Sequence, residues 1–377
     1  MKEFFWFCVS ITLLFATGNH MNRIEPLTQT APAQNCGVFS GINEFYRDSS
    51  ITPLHCSVHD AVEMAWLFVV ELKQIPPENC VLLISNEPAK EAELITQHYQ
   101  ELKRLNVQIG LPTRDNILAY HSAMQKYKGN PASLAVSFSS THGYHVQGRD
   151  WILPSDAINV RASETCVCVN ELERLTGRCS AGFQLVMLDA CRRETGTGYV
   201  SGVQSSSPAG DRSASLARLS SCSQGEVSYQ APLLGSHGHG VFTWHFLRGV
   251  RSAVPIDDQG FVRLGAVMDY CTRKASKWTE KECEETQHPA TDAPELILSW
   301  PLCRRGYSAK TNAKPAATAP KHQASLAPIF PPIRTGRTLV QPAGLPASLL
   351  RQPVGGRMLD LRNTGPQTGI NYRSSGR

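Results

Sequence analysis

Two short segments, roughly fifty residues apart, constrain this chain most, because each directly follows a run typical of a buried β-strand. The first is Ser-Ser-Thr-His-Gly at 139–143, and the second is Leu-Asp-Ala-Cys-Arg-Arg at 188–193. Short apolar runs separated by helical stretches predict a parallel sheet with crossover helices. In such sheets the functional residues gather at the carboxyl ends of the strands. We therefore expect His142 and Cys191 to lie close together at one edge of the sheet.

The stretches around these two strands predict one α/β domain over residues 35–303, with a mostly parallel central sheet flanked by helices. Apolar runs at Cys36–Ile42 and Cys80–Ile84 predict two further strands. Helical spacing predicts an amphipathic helix that Ser57 caps and another that starts at Thr113. Further helices are predicted within 89–105, over 170–176, after Gly240 and within 261–271.

The composition changes sharply after residue 303. Residues 304–377 are rich in Pro, Ala, Gly, Ser and Gln, and they contain twelve Lys or Arg against one acid, Asp360. Such a segment cannot bury enough surface to offset its ordering entropy, so we expect a disordered basic tail. Without its excess of eleven positive charges, the overall charge of +5 becomes −6, so the domain has no nucleic-acid footprint. We expect a solvated tail, and contact of the tail with an anionic surface is the alternative.

Residues 1–20 have the pattern of a targeting segment. A short charged start is followed by an apolar run of thirteen residues, Phe4–Ala16. This run is too short to span a bilayer and is typical of a signal-peptide core, with small residues following for cleavage. We therefore expect export to the periplasm or the exterior, with an uncleaved, membrane-anchoring N-terminus as the alternative.

The chain contains twelve cysteines, a number that fits an exported protein with disulfides better than a cytosolic enzyme. Their pairing cannot be deduced from the sequence. There is no Cys-x-x-Cys, and the close set His55, Cys56 and His59 is better explained by the helix that follows than by a metal site. We expect neither a metal nor an organic cofactor.

Cys191 and His142 are suited to peptide-bond hydrolysis. A thiolate is the reactive form of cysteine, and a neighbouring imidazole can generate it and later protonate the departing amine. Gly143 allows the scissile carbonyl to approach the backbone, so that the N–H groups of Gly143 and Cys191 can bind the oxyanion. Each residue alone has a structural explanation, but their shared position after two strands favours a His/Cys dyad.

The motifs around this dyad resemble the caspase-like cysteine peptidases, and within them most closely the paracaspases and their bacterial relatives. A histidine some fifty residues upstream of a cysteine in an Ala-Cys-Arg context is typical of this superfamily. The resemblance covers about residues 36–302 and lies in the segments His142–Tyr144, Pro154–Ala157, Ser163–Val169, Leu188–Arg192, Cys222–Gly225 and Gly240–Phe242. It implies a caspase-like fold and a cysteine endopeptidase with a dyad of His142 and Cys191.

The resemblance also implies specificity for a basic residue. Caspases have Gln two residues before the nucleophile, whereas this chain has Asp189 there, as do the paracaspases, which cleave after Arg or Lys. A carboxylate selects a cation, and its two oxygens match a guanidinium. A second pocket acid of the family falls on Asp60 and a third falls on Gln230, so this pocket is less acidic than the family pattern. The alternative for Asp189 is an ion pair with Arg192 or Arg193.

The leading hypothesis is therefore an endopeptidase that acts on protein or peptide substrates and cleaves after Arg, with Lys as the alternative. A catalytically inactive binding or scaffolding module and a thiol-redox or metal protein are the other hypotheses. The Gly- and Ser-rich stretch 192–219 is expected to be mobile and to permit self-processing after Arg212 or Arg218. Whether the active form is a homodimer stays open.

Overall fold

A computed structural model describes residues 24–25, 35–126, 131–146, 148–158, 162–193, 214–232 and 234–305. The strands in these ranges are β1 (Ile24–Glu25), β2 (Cys36–Gly41), β3 (Cys80–Ile84), β4 (Gln108–Gly110), β5 (Leu134–Ser140), β6 (Gly143–Val146), β7 (Arg149–Ile152), β8 (Val167–Cys168), β9 (Phe183–Asp189), β10 (Leu216–Ser220), β11 (Gln230–Ala231), β12 (His239–Gly240), β13 (Phe261–Arg263), β14 (Ala290–Asp292) and β15 (Pro301–Arg305). The α-helices are α1 (Ser57–Trp66), α2 (Glu93–Arg104), α3 (Arg114–Ala123), α4 (Ala162–Thr165), α5 (Val169–Gly177), α6 (Val241–Arg248), α7 (Leu264–Glu282) and α8 (Glu295–Leu298).

Within the described residues, the central sheet has seven strands in the order β14-β10-β9-β5-β2-β3-β4. Every neighbouring pair is parallel except β10 with the edge strand β14, which is antiparallel. Strands β2, β3 and β5 are buried along their whole length. Continuous burial is typical of parallel strands covered on both faces. It explains why apolar and polar residues do not alternate along these strands. The predicted fold class is confirmed.

Helices cover both faces of this sheet and form two hydrophobic cores. Helices α1, α2, α6 and α7 pack on one face, and α3 and α5 pack on the other. Successive residues of a strand alternate between the cores, because strand side chains have a period of two. In β3, for example, Leu82 belongs to the first core, whereas Val81 and Leu83 belong to the second.

The register between β5 and β9 sets the position of the predicted site. These parallel neighbours pair from Leu134 with Phe183 to Ser140 with Asp189. His142 and Cys191 each follow the last pair by two residues, so both lie at the carboxyl edge of the sheet. The juxtaposition expected from the two motifs is thus a direct result of strand pairing.

The sequence pattern did not predict a smaller sheet of β6, β7 and β8 that begins directly after His142. It also placed Arg218 in a mobile stretch, and this prediction was wrong. Arg218 lies in β10, between the central strand β9 and the edge strand β14. Its guanidinium is stabilised there by Asp150 and by Glu173, whose Oε1 lies 3.6 Å from Nη1.

The two predicted helix starts have different outcomes. The side chain of Thr113 accepts a hydrogen bond from the backbone N of Asn116 at 3.2 Å, so the predicted cap of α3 is confirmed. Ser57 does not cap α1, because Cys56 occupies the N-cap position and Ser57 is the first helical residue. Its hydroxyl instead accepts a hydrogen bond from Nε2 of Gln230 at 2.8 Å.

The predicted leader, residues 1–20, and nearly all of the predicted basic tail lie outside the described residues. In the part of the chain that is described, no helix combines the length and the apolar character needed to cross a membrane. All eleven cysteines in that part are free thiols, so the disulfides that the cysteine count favoured are not found among them. Most of these thiols are buried and pack as small hydrophobic residues.

Acidification is expected to destabilise the domain through His121. Its Nδ1 lies 2.7 Å from the carbonyl of Ile117 and its Nε2 lies 2.7 Å from Oγ of Ser137, which suits the neutral ring. Burial lowers the pKa of His121 to about 4. Because the folded pKa is depressed, the stabilisation is present above the unfolded value and is lost as pH falls below about 6.5.

We expect about 2 kcal/mol of unfolding free energy to be lost through this one group between pH 7 and pH 5. Urea unfolding of wild type and His121→Gln at both pH values measures this loss. The pH dependence should be smaller in His121→Gln, whereas His55→Gln, at an exposed position, should keep it. An equal pH dependence in wild type and His121→Gln would contradict the assignment.

Candidate active site

His142 lies at the carboxyl edge of the sheet, and its hydrogen bond fixes which ring nitrogen carries the proton. Its Nε2 lies 2.7 Å from the carbonyl oxygen of Thr52, and its ring stacks on Phe45 at 5.4 Å. A carbonyl oxygen can only accept, so Nε2 carries the proton and Nδ1 is the basic nitrogen. Burial lowers the pKa of His142, and the bond to Thr52 partly offsets this effect. The imidazole is therefore neutral at pH 7, as a general base requires.

The thiol of Cys191 is nearly buried and is bound to the backbone of Ser228. Its Sγ donates to the carbonyl of Ser228 at 3.6 Å and accepts from the backbone N of Ser228 at 3.3 Å. Burial raises the pKa of Cys191, and donation from Ser228 acts in the opposite direction. The resting thiol is thus protonated, and its hydrogen bond goes to Ser228 rather than to His142. A base is needed to generate the thiolate.

Gly143 brings strand β6 against the turn that carries Cys191. A Cβ atom at Gly143 would lie 2.5 Å from the carbonyl oxygen of Cys191 and 2.9 Å from Cβ of Ala190. Only glycine allows this close approach of the two backbones. The two N–H groups expected to bind an oxyanion therefore belong to segments in direct contact.

The Asp189 carboxylate, at the end of β9, is buried and bound by hydroxyl and backbone donors. Its Oδ1 accepts from Oγ of Ser228 at 2.7 Å, and its Oδ2 accepts from Oγ1 and N of Thr243 at 2.6 and 3.2 Å. Burial, followed by the negative charge of Asp60, raises the pKa of Asp189 to about 6. Ionisation of Asp189 is therefore less favourable in the resting protein than that of an ordinary aspartate.

Asp60, on α1, is fully buried beside Asp189. Its carboxylate accepts hydrogen bonds from Oγ of Ser140 at 3.0 Å, Nδ1 of His239 at 3.0 Å and the backbone N of Gly240 at 3.1 Å. A Cβ atom at Gly240 would collide with Oδ2 of Asp189 and would lie 3.0 Å from Oδ2 of Asp60. The two carboxylates therefore converge on the space that Gly240 leaves open.

The cations expected as the alternative partners of Asp189 are used elsewhere. Arg192 forms an ion pair with Asp150 at 2.9 Å, and Arg193 forms one with Glu285 at 2.5 Å. The alternative of an ion pair between Asp189 and either arginine was therefore wrong. Among the residues that the structure describes, neither pocket carboxylate forms an ion pair with Lys or Arg.

Gln230 lies next to this pair of carboxylates but binds the start of α1. It pairs with Gly240 across the β11–β12 hairpin. Its Oε1 accepts from the backbone N of Cys56 at 3.3 Å, and its Nε2 donates to Ser57. Both ends of the side chain are therefore already engaged in the resting protein.

The residues considered as metal ligands do not form a cluster. Nδ1 of His59 lies 2.9 Å from the carbonyl oxygen of His237. Across the described ranges, no group of three or more His, Cys, Asp or Glu side chains has an arrangement that could hold a metal ion. A metal centre is therefore not supported at His55, Cys56 and His59.

Residues 38–295 match the family model described as the caspase domain. The chain belongs to the caspase family. The caspase domain covers both strands of the proposed dyad and the β11–β12 hairpin, and a domain of this family indicates a cysteine peptidase. The predicted resemblance to the caspase-like superfamily is confirmed.

Among solved structures, the caspase domain is similar to protein GSU0716 from Geobacter sulfurreducens. The two share 12% sequence identity with a TM-score of 0.45, and the similarity covers 71% of this chain and 97% of that chain. No curated protein matches the sequence of this chain.

The sequence did not predict a largely buried ion cluster next to Cys191. Asp150, in β7 of the caspase domain, accepts from Nδ1 of His145 at 2.8 Å and from Nε of Arg192 at 3.1 Å, and it also contacts Arg218. These contacts hold the residue that follows Cys191. The sequence signal for this cluster is Asp150 itself, an acidic residue that stands between Arg149 and two apolar residues in a short strand.

Proposed function

We propose that this caspase domain is a cysteine endopeptidase that cleaves after arginine, and more slowly after lysine, with His142 and Cys191 as its dyad. The observation that carries the proposal is the convergence of two buried carboxylates, Asp60 and Asp189, beside the Cys191 turn without a Lys or Arg partner in the described residues. Burying like charges together is costly unless a cation joins them. The guanidinium of a substrate arginine supplies that cation.

In the first half of the reaction, the thiol rotates from Ser228 towards the basic Nδ1 of His142. His142 takes the proton, and Sγ of Cys191 attacks the scissile carbonyl carbon, forming the C–S bond. The carbonyl oxygen becomes an oxyanion, which the N–H groups of Gly143 and Cys191 stabilise. The carbonyl of Thr52 keeps the imidazolium oriented, because it accepts from Nε2 throughout.

In the second half, the intermediate collapses and the C–N bond breaks. His142 returns its proton to the departing amine, which leaves with the C-terminal product. A water molecule then attacks the thioester, with His142 as base, and the proton reaches Cys191 as the thiol re-forms. No step requires a metal or an organic cofactor.

Arginine fits the two-carboxylate pocket better than lysine. A guanidinium presents five donors in a plane and can bind two carboxylates at once, whereas an ammonium is a compact point charge. A bound cation also favours the ionised form of Asp189, which burial otherwise disfavours. Substrate binding and pocket ionisation are therefore coupled.

The test is turnover of matched fluorogenic peptides that end in arginine, lysine or citrulline. Citrulline has nearly the shape of arginine but no charge, so the comparison isolates the cation. We expect turnover in the order arginine, lysine, citrulline, and none with Cys191→Ala. Absence of turnover with every peptide of a broad library would favour the inactive scaffold instead.

Self-processing remains a prediction from the sequence, and Arg218 is an unsuitable site because it is paired within β10 and its side chain is only 11% exposed. Arg212 lies outside the described residues, in a Gly- and Ser-rich segment. We expect mass spectrometry to find cleavage after Arg212 in wild type and an intact chain in Arg212→Gln and in Cys191→Ala. Identical intact masses of wild type and Cys191→Ala would refute self-processing.

A further inference from the structure

The carboxylate of Asp60 is held by a histidine that the proposed mechanism does not use. His239, in β12, is 2% exposed, and its Nδ1 lies 3.0 Å from Oδ1 of Asp60. A carboxylate oxygen accepts, so Nδ1 of His239 carries the proton and donates it. The bond joins residues 179 positions apart, between helix α1 and the β11–β12 hairpin.

Three features fix the position of the His239 ring. The ring stacks on Trp244 with a centroid distance of 5.5 Å and an interplanar angle of 18°. Its backbone pairs with Ala231 of β11. Gly235, with a φ of +68°, leaves room for both rings, because a Cβ there would lie 2.5 Å from Trp244 and 3.0 Å from Cδ2 of His239. The donor to Asp60 is therefore pre-organised.

This donor is one of three that orient the carboxylate of Asp60, and it is the side-chain donor to Oδ1. His239 binds only Oδ1, Oγ of Ser140 binds Oδ2 at 3.0 Å, and the backbone N of Gly240 contacts both oxygens at 3.1 Å. With Oδ1 held in this way, Oδ2 is turned towards the space beside Gly240 that Oδ2 of Asp189 also faces. Without the bond from His239, Oδ1 of Asp60 keeps only the backbone N–H of Gly240 among the donors described, so its orientation is less firmly fixed.

We propose that His239 is a positioning residue for specificity, which aims Asp60 so that Asp60 and Asp189 bind one guanidinium together. This inference rests on the proposed function, because it assigns the two carboxylates to the pocket for the basic substrate residue. A guanidinium uses two converging carboxylates, whereas an ammonium gains less from the second. His239 therefore contributes to discrimination between arginine and lysine as well as to charge recognition.

The experiment measures binding in the Cys191→Ala protein, so that it does not depend on turnover. Fluorescence polarisation gives the Kd of labelled peptides that end in arginine, lysine or citrulline. His239→Phe keeps an aromatic ring for Trp244 but removes the donor, and His239→Asn keeps an N–H close to the position of Nδ1. Loss of a hydrogen bond to a charged group predicts that the preference for arginine over citrulline falls about tenfold in His239→Phe.

We expect His239→Asn to retain the preference within about threefold, because a donor to the charged Asp60 remains. In turnover assays, His239→Phe should raise KM for the arginine peptide and leave kcat nearly unchanged. Thermal unfolding checks that each variant is folded, and His239→Leu supplies the same comparison if His239→Phe does not fold.

The decisive comparison repeats the His239→Phe measurement in a protein that also carries Asp60→Asn. If His239 acts by aiming Asp60, His239→Phe should have no further effect on the arginine preference once Asp60 is neutral. An equal effect in both backgrounds, or an unchanged preference in His239→Phe alone, would overturn the inference. If Cys191→Ala binds arginine selectively but wild type cleaves no peptide, the catalytic proposal fails while this assignment stands. If Cys191→Ala shows no preference for arginine, the assignment of His239 fails.

Discussion

Replacing either member of the dyad is expected to abolish turnover. Cys191→Ala and His142→Ala should each lower kcat for an arginine peptide by roughly four to six orders of magnitude, because nucleophile and base act as one unit. For the same reason the double variant should be no slower than either single variant. The measurement is single-variant and double-variant kinetics on protein free of contaminating peptidases.

The fold should survive both changes, since the two side chains lie at the edge of the sheet rather than within either hydrophobic core. Cys283→Ala, which removes a partly exposed thiol outside the proposed site, and His288→Ala, which removes an exposed imidazole, are matched controls that should keep their activity. Near-native turnover in Cys191→Ala or His142→Ala would show that the dyad is wrongly assigned.

Asp189→Asn is expected to remove the preference for arginine. Breaking a buried charge pair costs roughly 3–5 kcal/mol, which corresponds to about two to three and a half decades in kcat/KM. The citrulline peptide, which brings no charge, should be affected far less. The ratio of arginine to citrulline turnover in wild type and Asp189→Asn is the measurement, and an unchanged ratio would remove Asp189 from the pocket.

The same substitution should stabilise the resting fold. Burial and the charge of Asp60 raise the folded pKa of Asp189 to about 6, above its ordinary value of 3.8. A raised folded pKa means that stability is greatest below the unfolded pKa and is lost as pH rises through the folded one. The neutral amide avoids this loss, so Asp189→Asn should gain about 3 kcal/mol at pH 7.5 and roughly half of that at pH 5.

Urea unfolding of wild type and Asp189→Asn at the two pH values measures this gain. A variant less stable than wild type at pH 7.5 would show that the resting pocket favours the ionised carboxylate. If the gain is found together with lost specificity, the acid is retained for substrate binding at a cost in stability.

The parts of the site that follow from long, buried strands could be predicted from the sequence. His142 and Cys191 lie where the ends of β5 and β9 require, because a parallel register brings consecutive motifs to one edge. Strands β6 and β7 have only four residues each, and β8 and β12 have two. Elements of this length carry no periodic signal, and they form because a partner strand is present.

Contacts between distant residues explain the remaining differences. Arg218 looked like part of a polar loop because its partner Asp150 is 68 residues away in the sequence. Likewise, nothing near Asp60 in the sequence indicates the bond from His239, since only the folded hairpin brings that donor into place. The cysteine count suggested disulfides, whereas the described thiols are free and most of them are buried.

The lengths of the two border strands limit how copies of this protein can associate. Both β14 and β4, the outermost described strands of the central sheet, are only three residues long. A short border offers few unsatisfied backbone groups, so an incoming chain gains little by adding a strand there. The short edges therefore disfavour edge-to-edge addition of strands from further copies. A stable pair of copies would also need side-chain packing on a helical face.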